Sequence, residues 1–355
     1  MFHEEIIGRS GFGKSTYLEH LILDTEGGFV FIDPHGQSAE RIADTVPCIY
    51  WNTTEGVVSF NPLANIPKEQ HALVAAQVVY AIKAVAGELS WGPRLNWTLY
   101  NTVRLALDIN GTILDIHTIL TDKTFRTRCL KRSSFPEYWE EEFERYDDRF
   151  RNEVIAPVLN KIGMFRANNY LSAILSDSSV DFFKVMNKGQ RLVVNLSKSK
   201  LGDEPAHLLG ALIITAFYNA AQRRPFDPPP FRLFADEFQN FATQSFADIL
   251  SEARKHGLFV TLCHQYLEQI PKELRPAVFA NVGRITSFNV SAEDARFLSA
   301  EMDIHPSLLT DLTKYRARQK TGLETKLIKT VPPARTEGRL VANSRYTCAR
   351  YRRPQ

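Results

Sequence analysis

Cysteine is scarce in this 355-residue chain. Cys48, Cys129, Cys263 and Cys348 are the full complement, with no C-x-x-C spacing among them. That excludes a disulfide scaffold, argues against a structural zinc site and makes a reducing compartment the default. Long apolar runs are also missing. The longest, Leu208 to Tyr218, is 11 residues, against the ~20 that a spanning helix needs. The first residues carry Glu4 and Glu5 where a secretory leader carries Lys or Arg. A cytoplasmic chain is therefore expected, with any membrane attachment made through a partner. Neither internal repeats nor low-complexity tracts occur. An apolar fraction of 44% and a charged fraction of 23% exclude disordered, collagenous and coiled-coil classes.

Charge is modest overall, at +3, but unevenly spread. Residues 314–355 hold twelve Lys or Arg against two Glu, a net of +10. The first 313 residues hold 31 basic against 38 acidic residues, a net of −7. A basic end on a mildly acidic body is suited to meet phosphate or an acidic surface; a simply solvated end is the alternative.

The most specific signal is Gly8-Arg9-Ser10-Gly11-Phe12-Gly13-Lys14-Ser15, followed by Thr16, which matches G-x-x-x-x-G-K-[ST] at every fixed position. Glycines let successive backbone N–H groups converge on phosphate oxygens. Lys14 brings a point charge to the β- and γ-phosphates and Ser15 a hydroxyl to Mg²⁺. A helix predicted from Lys14 to Leu23 aims its positive end at the same phosphates. The preceding strand, Glu4 to Ile7, is unusual, because a buried parallel strand should be apolar throughout. A second strand, Phe29 to Ile32, runs into Asp33-Pro34-His35-Gly36, read either as a polar cluster facing a nucleotide or as a capped turn.

Further along, Phe231 to Ala235 reads as a strand closing on Asp236-Glu237. In a phosphate-loop enzyme Asp236 would hold Mg²⁺ with Ser15, and Glu237 would polarise the attacking water. Residues 245–256 read as an amphipathic helix ended by Gly257. The next strand, Leu258 to Cys263, ends in His264-Gln265, where the neutral amide of Gln265 is placed to sense the γ-phosphate. Arg254, on the intervening helix, is either a finger reaching a neighbouring subunit's nucleotide or a residue compensating its own helix dipole.

Between these blocks the pattern is helical. Ala72–Ala86, Leu95–Ile109, an acidic stretch Pro136–Tyr146 and Val154–Phe165 all have helical spacing, and strand patterning resumes at Arg191–Leu196. The organisation expected is an α/β core of mainly parallel sheet at 1–65 and 185–332, interrupted at 66–184 by an all-α insertion of about 115 residues. Val282–Phe288 is expected as a further strand, 313–331 as a hairpin and 333–355 as a basic, irregular and disordered tail.

The ordered set Ile7–Thr16, Ile32–Gly36, Phe60-Asn61-Pro62-Leu63, Asn195–Lys198, Ala235–Gln239, Glu252–Gly257 and His264-Gln265 resembles the HerA/FtsK superfamily of DNA-pumping ATPases. Within it, the set is most similar to conjugative coupling proteins of the TraD/TraG type and HerA-like relatives. The likeness runs from residue 3 to about 331 and includes Trp91-Gly92-Pro93-Arg94 in the insertion. It implies a RecA-like P-loop NTPase core, ATP and Mg²⁺ as cofactors, and a homo-hexameric ring that threads DNA without reading its sequence. It also implies Lys14 and Ser15 on phosphates and metal, Asp236 on Mg²⁺, Glu237 on water, Gln265 as sensor and Arg254 as a finger in trans. A relaxase, nuclease or secretion-channel partner at the inner face of a bacterial membrane would follow. Coupling proteins carry N-terminal membrane helices and HerA proteins a small β-barrel; neither precedes the phosphate loop here.

Three functions fit these residues. A translocase needs positive side chains on backbone phosphates, with Lys198, Lys200, Arg94 and Arg166 as candidates. A recruitment module would use the acidic insertion, Glu140-Glu141-Glu142, to grip a basic partner, and its hydrolysis would ignore DNA. A small-molecule kinase shares the phosphate loop, but Glu237 beside Asp236 favours water as the acceptor.

Overall fold

A computed structural model describes residues 1–86, 91–242, 245–333 and 335–351. Strand β1 (His3–Ile7) leads through the phosphate loop into α1 (Lys14–Leu23); β2 (Gly28–Asp33), α2 (Gln37–Thr45) and β3 (Ile49–Asn52) follow. The helices of the insertion come next: α3 (His71–Ala86), α4 (Pro93–Asp108), α5 (Asp115–Thr121), α6 (Lys123–Leu130), α7 (Asp148–Ala167), α8 (Asn169–Leu175) and α9 (Phe182–Asn187). Strand β4 (Arg191–Asn195), α10 (Lys198–Leu201), α11 (Asp203–Gln222), β5 (Phe231–Ala235), α12 (Ser245–Glu252) and β6 (Leu258–His264) complete the second block. The chain then continues as α13 (Arg275–Asn281), β7 (Val282–Ser287), α14 (Ala292–Met302), α15 (Ser307–Thr310), the hairpin β8 (Arg316–Thr321) and β9 (Glu324–Lys329), and α16 (Leu340–Tyr351).

Among the described residues the strands form one nine-stranded sheet in the order β3-β4-β2-β5-β6-β1-β7-β8-β9. All pairings are parallel up to β7; β8 and β9 add antiparallel. The expected class, α/β with a mainly parallel sheet, is what the chain adopts. Side chains alternate across the sheet, as strand geometry requires. Phe29 and Phe31 pack with Leu18 and Ile22 of α1 and Ile42 of α2. Val30 and Ile32 face the opposite layer, where Leu212 and Phe217 of α11 belong to one cluster that runs without a break into α3, α4 and α7. Helices therefore cover both faces of the sheet, which is why β2, β4 and β5 carry near-continuous apolar runs.

The two glutamates of β1 are buried and individually partnered. Glu5 Oε1 lies 2.8 Å from His264 Nε2. Glu4 Oε1 accepts from Tyr17 Oη at 3.1 Å and Thr286 Oγ1 at 2.9 Å, with Arg284 Nη1 3.5 Å from Oε2. Burial still pushes the Glu4 pKa upward, and Arg284 opposes it.

Three local expectations are corrected. The acidic stretch Pro136–Tyr146 is not a regular α-helix: Tyr138–Glu142 form a π turn and Phe143–Arg145 a 3₁₀ turn, which bring Tyr138, Trp139 and Phe143 into one aromatic cluster. The helix read over 245–256 ends at Glu252, and Ala253–His256 tighten to 3₁₀ before Gly257. The segment 333–355 is not irregular throughout, since Leu340–Tyr351 form α16. Its stability comes from docking rather than propensity. Asn343 Nδ2 donates to the carbonyls of Ala43 and Val46, Asn343 Oδ1 accepts from Cys48 N, and Thr347 Oγ1 accepts from Tyr50 N. Two side chains one helical turn apart thus satisfy alternate amides on the outer edge of β3, an edge that would otherwise present unpaired N–H groups. Residues 352–355 lie outside the described residues.

Candidate nucleotide site

Parallel strands all end at one side of the sheet, and the sequence motifs collect there. Gly11 and Gly13 take positive φ of 84° and 109°, in the left-handed region open to glycine. At Gly8, packing decides as well: a Cβ there would stand 2.5 Å from Phe288 Cβ. The loop is tied down at both ends, with Arg9 N donating to Asn289 O at 2.8 Å and Phe12 O accepting from Tyr315 N at 2.9 Å. Lys14 is buried at the start of α1, and its Nζ donates to Arg9 O at 3.3 Å. Its ammonium is thereby folded over the loop. Arg9, Ser10 and Ser15 are exposed; Phe12 and Thr16 are half-buried.

Strand β6 separates the phosphate-loop strand β1 from β5, and β5 ends on the acidic pair. Asp236 is buried, 7% exposed. Burial, then the nearby charges of Asp33 and Glu237, raise its pKa from 3.8 to about 7. Asp236 Oδ1 accepts from Glu237 N at 3.0 Å, and the buried Cys263 of β6 bears on the same carboxyl, opposing the rise in its pKa. Glu237 occupies the left-handed region, φ 47°, uncommon for a residue with a side chain. Its carboxylate is gripped from both sides: Oε1 accepts from Gln265 Nε2 at 2.9 Å and Oε2 from Gln239 Nε2 at 2.6 Å. Gln265 is itself fixed through its backbone N–H to Gln269 Oε1 at 2.8 Å.

Lys14, Asp236, Glu237 and Gln265 are therefore gathered around the ends of three adjacent strands. Asp33 caps its own turn, its oxygens accepting from His35 N at 2.8 Å and Ala39 N at 2.9 Å and fixing the entry to α2, while its charge also bears on Asp236; His35 is exposed. Arg254 does not reach the site within one chain. It is exposed in the turn before β6, at the opposite ends of the parallel strands, near His3, whose pKa burial and then the Arg254 charge lower to about 4. The other candidate cations are dispersed. Lys198 and Lys200 are on α10, with Lys198 Nζ 3.3 Å from Asp203; Arg94 stacks over Phe150 on the insertion, and Arg166 is exposed at the end of α7.

Sequence reasoning missed Gln239, Cys263 and Tyr315. Gln239 closes the Ala235–Gln239 segment, two residues past Glu237, but the sequence gives no sign that its amide would hold the Glu237 carboxylate. Tyr315 precedes β8, and its ring packs so tightly on the loop that a Cβ at Gly13 would stand 2.8 Å from its Cδ1.

Comparison with protein-family models finds no match, and none of the curated proteins matches in sequence. Solved structures do match in fold. The bacterial conjugative coupling protein TrwBΔN70 superposes with a TM-score of 0.74 at 14% identity, covering 95% of this chain and 86% of its own. TrwB in complex with ADP and Mg²⁺ gives 0.73 at 15% identity, with 95% and 87% covered. VirB4 of Thermoanaerobacter pseudethanolicus gives 0.67 at 14% identity, with 93% and 89% covered. At such identities the likeness establishes the fold, and it agrees with the resemblance carried by the motifs.

Proposed function

We propose that this chain is the ATP-hydrolysing motor of a conjugation or type IV secretion apparatus, moving DNA through a ring of identical subunits. One observation carries the hydrolytic part: Glu237 is held between two amide donors, beside a buried aspartate and one strand removed from a complete phosphate loop. That arrangement suits a carboxylate that must orient water. The amide of Gln265 bonds Glu237 and stands where it can also bond phosphate, so loss of the γ-phosphate is felt as a change in one hydrogen bond. Lys14, released from Arg9, neutralises phosphate charge, and the loop amides from Gly8 to Thr16 cradle the oxygens. Held between Gln265 and Gln239, Glu237 is pre-oriented and needs no large rotation before hydrolysis.

The donor set fits Mg²⁺. Ser15 and Asp236 offer oxygen ligands only, and a divalent cation would relieve the repulsion among Asp236, Asp33 and Glu237 that lifts the Asp236 pKa. When bound, the ion supplies charge neutralisation on the β- and γ-oxygens. TrwB, of the same fold, has been solved with ADP and Mg²⁺.

The finer assignments rest on the resemblance. The core (1–65 and 185–332) and the helical insertion (66–184) are proposed as separate functional units. A homo-hexamer would bring Arg254 of one copy to the nucleotide of the next, which accords with its exposed position away from its own site. Lys198 and Lys200 would meet DNA backbone, with Arg94 and Arg166 on the insertion. No helix among the described residues is long and apolar enough to cross a membrane; recruitment to the inner face of a bacterial membrane by a partner such as a relaxase or channel component belongs to the same proposal.

The test is ATP hydrolysis by purified protein without DNA, with single-stranded DNA and with duplex DNA, beside a Lys14→Ala control. Stimulation by one DNA form, lost in the control, is expected. Hydrolysis indifferent to both forms would overturn the translocase reading in favour of a recruitment module.

A further inference from the structure

At the ends of the parallel strands the groups follow a fixed lateral order: Asp236 and Glu237 after β5, Gln265 after β6, the phosphate loop after β1, Phe288 and Asn289 after β7, and Tyr315 just before β8. The pairing of Ser287 with Arg318 puts the start of the antiparallel β8 on this same side. Because Glu237 and Gln265 mark the β6 side of the loop as the side of the terminal phosphate, the rest of a nucleotide must leave toward β7 and β8. The residue waiting there is Tyr315.

Tyr315 is built into the loop rather than merely near it. Its N–H donates to Phe12 O at 2.9 Å, and its carbonyl accepts from Thr330 N at 2.8 Å. Asn289, which accepts from Arg9 N, donates its side-chain amide to Leu312 O at 3.1 Å, so the turn carrying Tyr315 is fastened to the loop at both ends. The backbone at Tyr315 is left-handed, φ 64°, a rare conformation for an aromatic residue that these bonds hold in place. The ring lies against Gly13, remains half-exposed, and has the Lys314 ammonium 4.9 Å from its centroid.

We propose that Tyr315 is the stacking platform for the base of the bound nucleoside triphosphate. The inference rests on the nucleotide reading above and deepens it. A π-face accepts any base, so the site would hold adenine and guanine nucleotides with little preference, and its selectivity would lie in the triphosphate.

Calorimetry with two probes, ATP and inorganic tripolyphosphate, separates the possibilities. Tyr315→Leu keeps an apolar group against Gly13 but removes the ring; Tyr315→Phe keeps the ring. The Leu variant should bind ATP about ten-fold more weakly, in line with base–aromatic stacking, and GTP should weaken alike. Tripolyphosphate affinity should be unchanged, and the Phe variant should match the unaltered protein. Equal loss of ATP and tripolyphosphate in the Leu variant would show that Tyr315 only props the loop, and unchanged ATP affinity would place the base elsewhere; either overturns the platform. Failure of the unaltered protein to bind both ATP and tripolyphosphate would overturn the nucleotide reading itself.

Discussion

Asp236 is a stability liability, and the size of that liability is measurable. Its pKa lies near 7 in the fold against 3.8 ordinarily, because the carboxyl is buried beside two other acids. The folded state therefore holds its proton more tightly than the unfolded chain. Stability contributed by the neutral form is full at low pH and is lost as pH rises from about 4 through about 7. At about 1.4 kcal/mol per pH unit of displacement, the cost approaches about 4 kcal/mol above pH 7 and is about 1.7 kcal/mol at pH 5. Asp236→Asn keeps an acceptor for Glu237 N and removes the charge. In buffer containing a chelator, the variant should be the more stable protein, by about 2–4 kcal/mol at pH 8 and by roughly 2 kcal/mol less at pH 5. Urea unfolding of both proteins at the two pH values reads this directly. Added Mg²⁺ and ATP should stabilise the unaltered protein more than the variant, which keeps the phosphate loop but lacks one of the two proposed oxygen ligands of the ion. A variant less stable at pH 8, or a difference independent of pH, would refute the account.

Three other outcomes are expected. Glu237→Gln should lower ATP turnover by about two to three orders of magnitude while preserving nucleotide affinity, and Gln239→Ala should lower it by a smaller factor of about ten by releasing one side of the carboxylate; steady-state turnover and equilibrium binding distinguish the two effects. Asn343→Ala should cost about 2–3 kcal/mol in urea unfolding, because it strands Cys48 N and the Ala43 and Val46 carbonyls, and limited proteolysis should then cut within 333–351 first. Gly210→Ala should destabilise by about 1–3 kcal/mol, measured in the same way, since its Cβ would stand 2.2 Å from Phe241 Cε1.

The phosphate loop and the Asp236-Glu237 pair were readable from sequence because phosphate and metal chemistry admit few residue types at fixed spacings. The sheet was readable where strands are covered on both faces, as in Phe29–Ile32 and Leu258–Cys263. The edge strand β3 was not read: four residues, Ile49–Asn52, are too few to establish a period, and their pairing with β4 is non-local. Strand β1 reads as anomalous until His264, Tyr17 and Thr286 are placed beside its two glutamates, and those partners lie up to 282 residues away. Helix α16 escaped for a similar reason, since it is anchored by two of its own polar side chains, Asn343 and Thr347, on main-chain groups of a distant segment rather than by an apolar stripe. Tyr315 belongs to no motif, Gln239 only closes the Ala235–Gln239 segment with no role attached to it, and the fold alone gives both their neighbours.

The insertion leaves the sheet after β3 and returns before β4, two strands that pair with each other, so in topology it is the crossover of a β-α-β unit enlarged by several helices. Its apolar residues and those of one sheet face form a single cluster, so swinging the insertion away would expose apolar surface at roughly 25 cal/mol per Å². Stiffness is the result: the helical part is an outrigger bolted to the sheet, and under the proposed function a stroke at the nucleotide would have to displace both together or arise at contacts between copies.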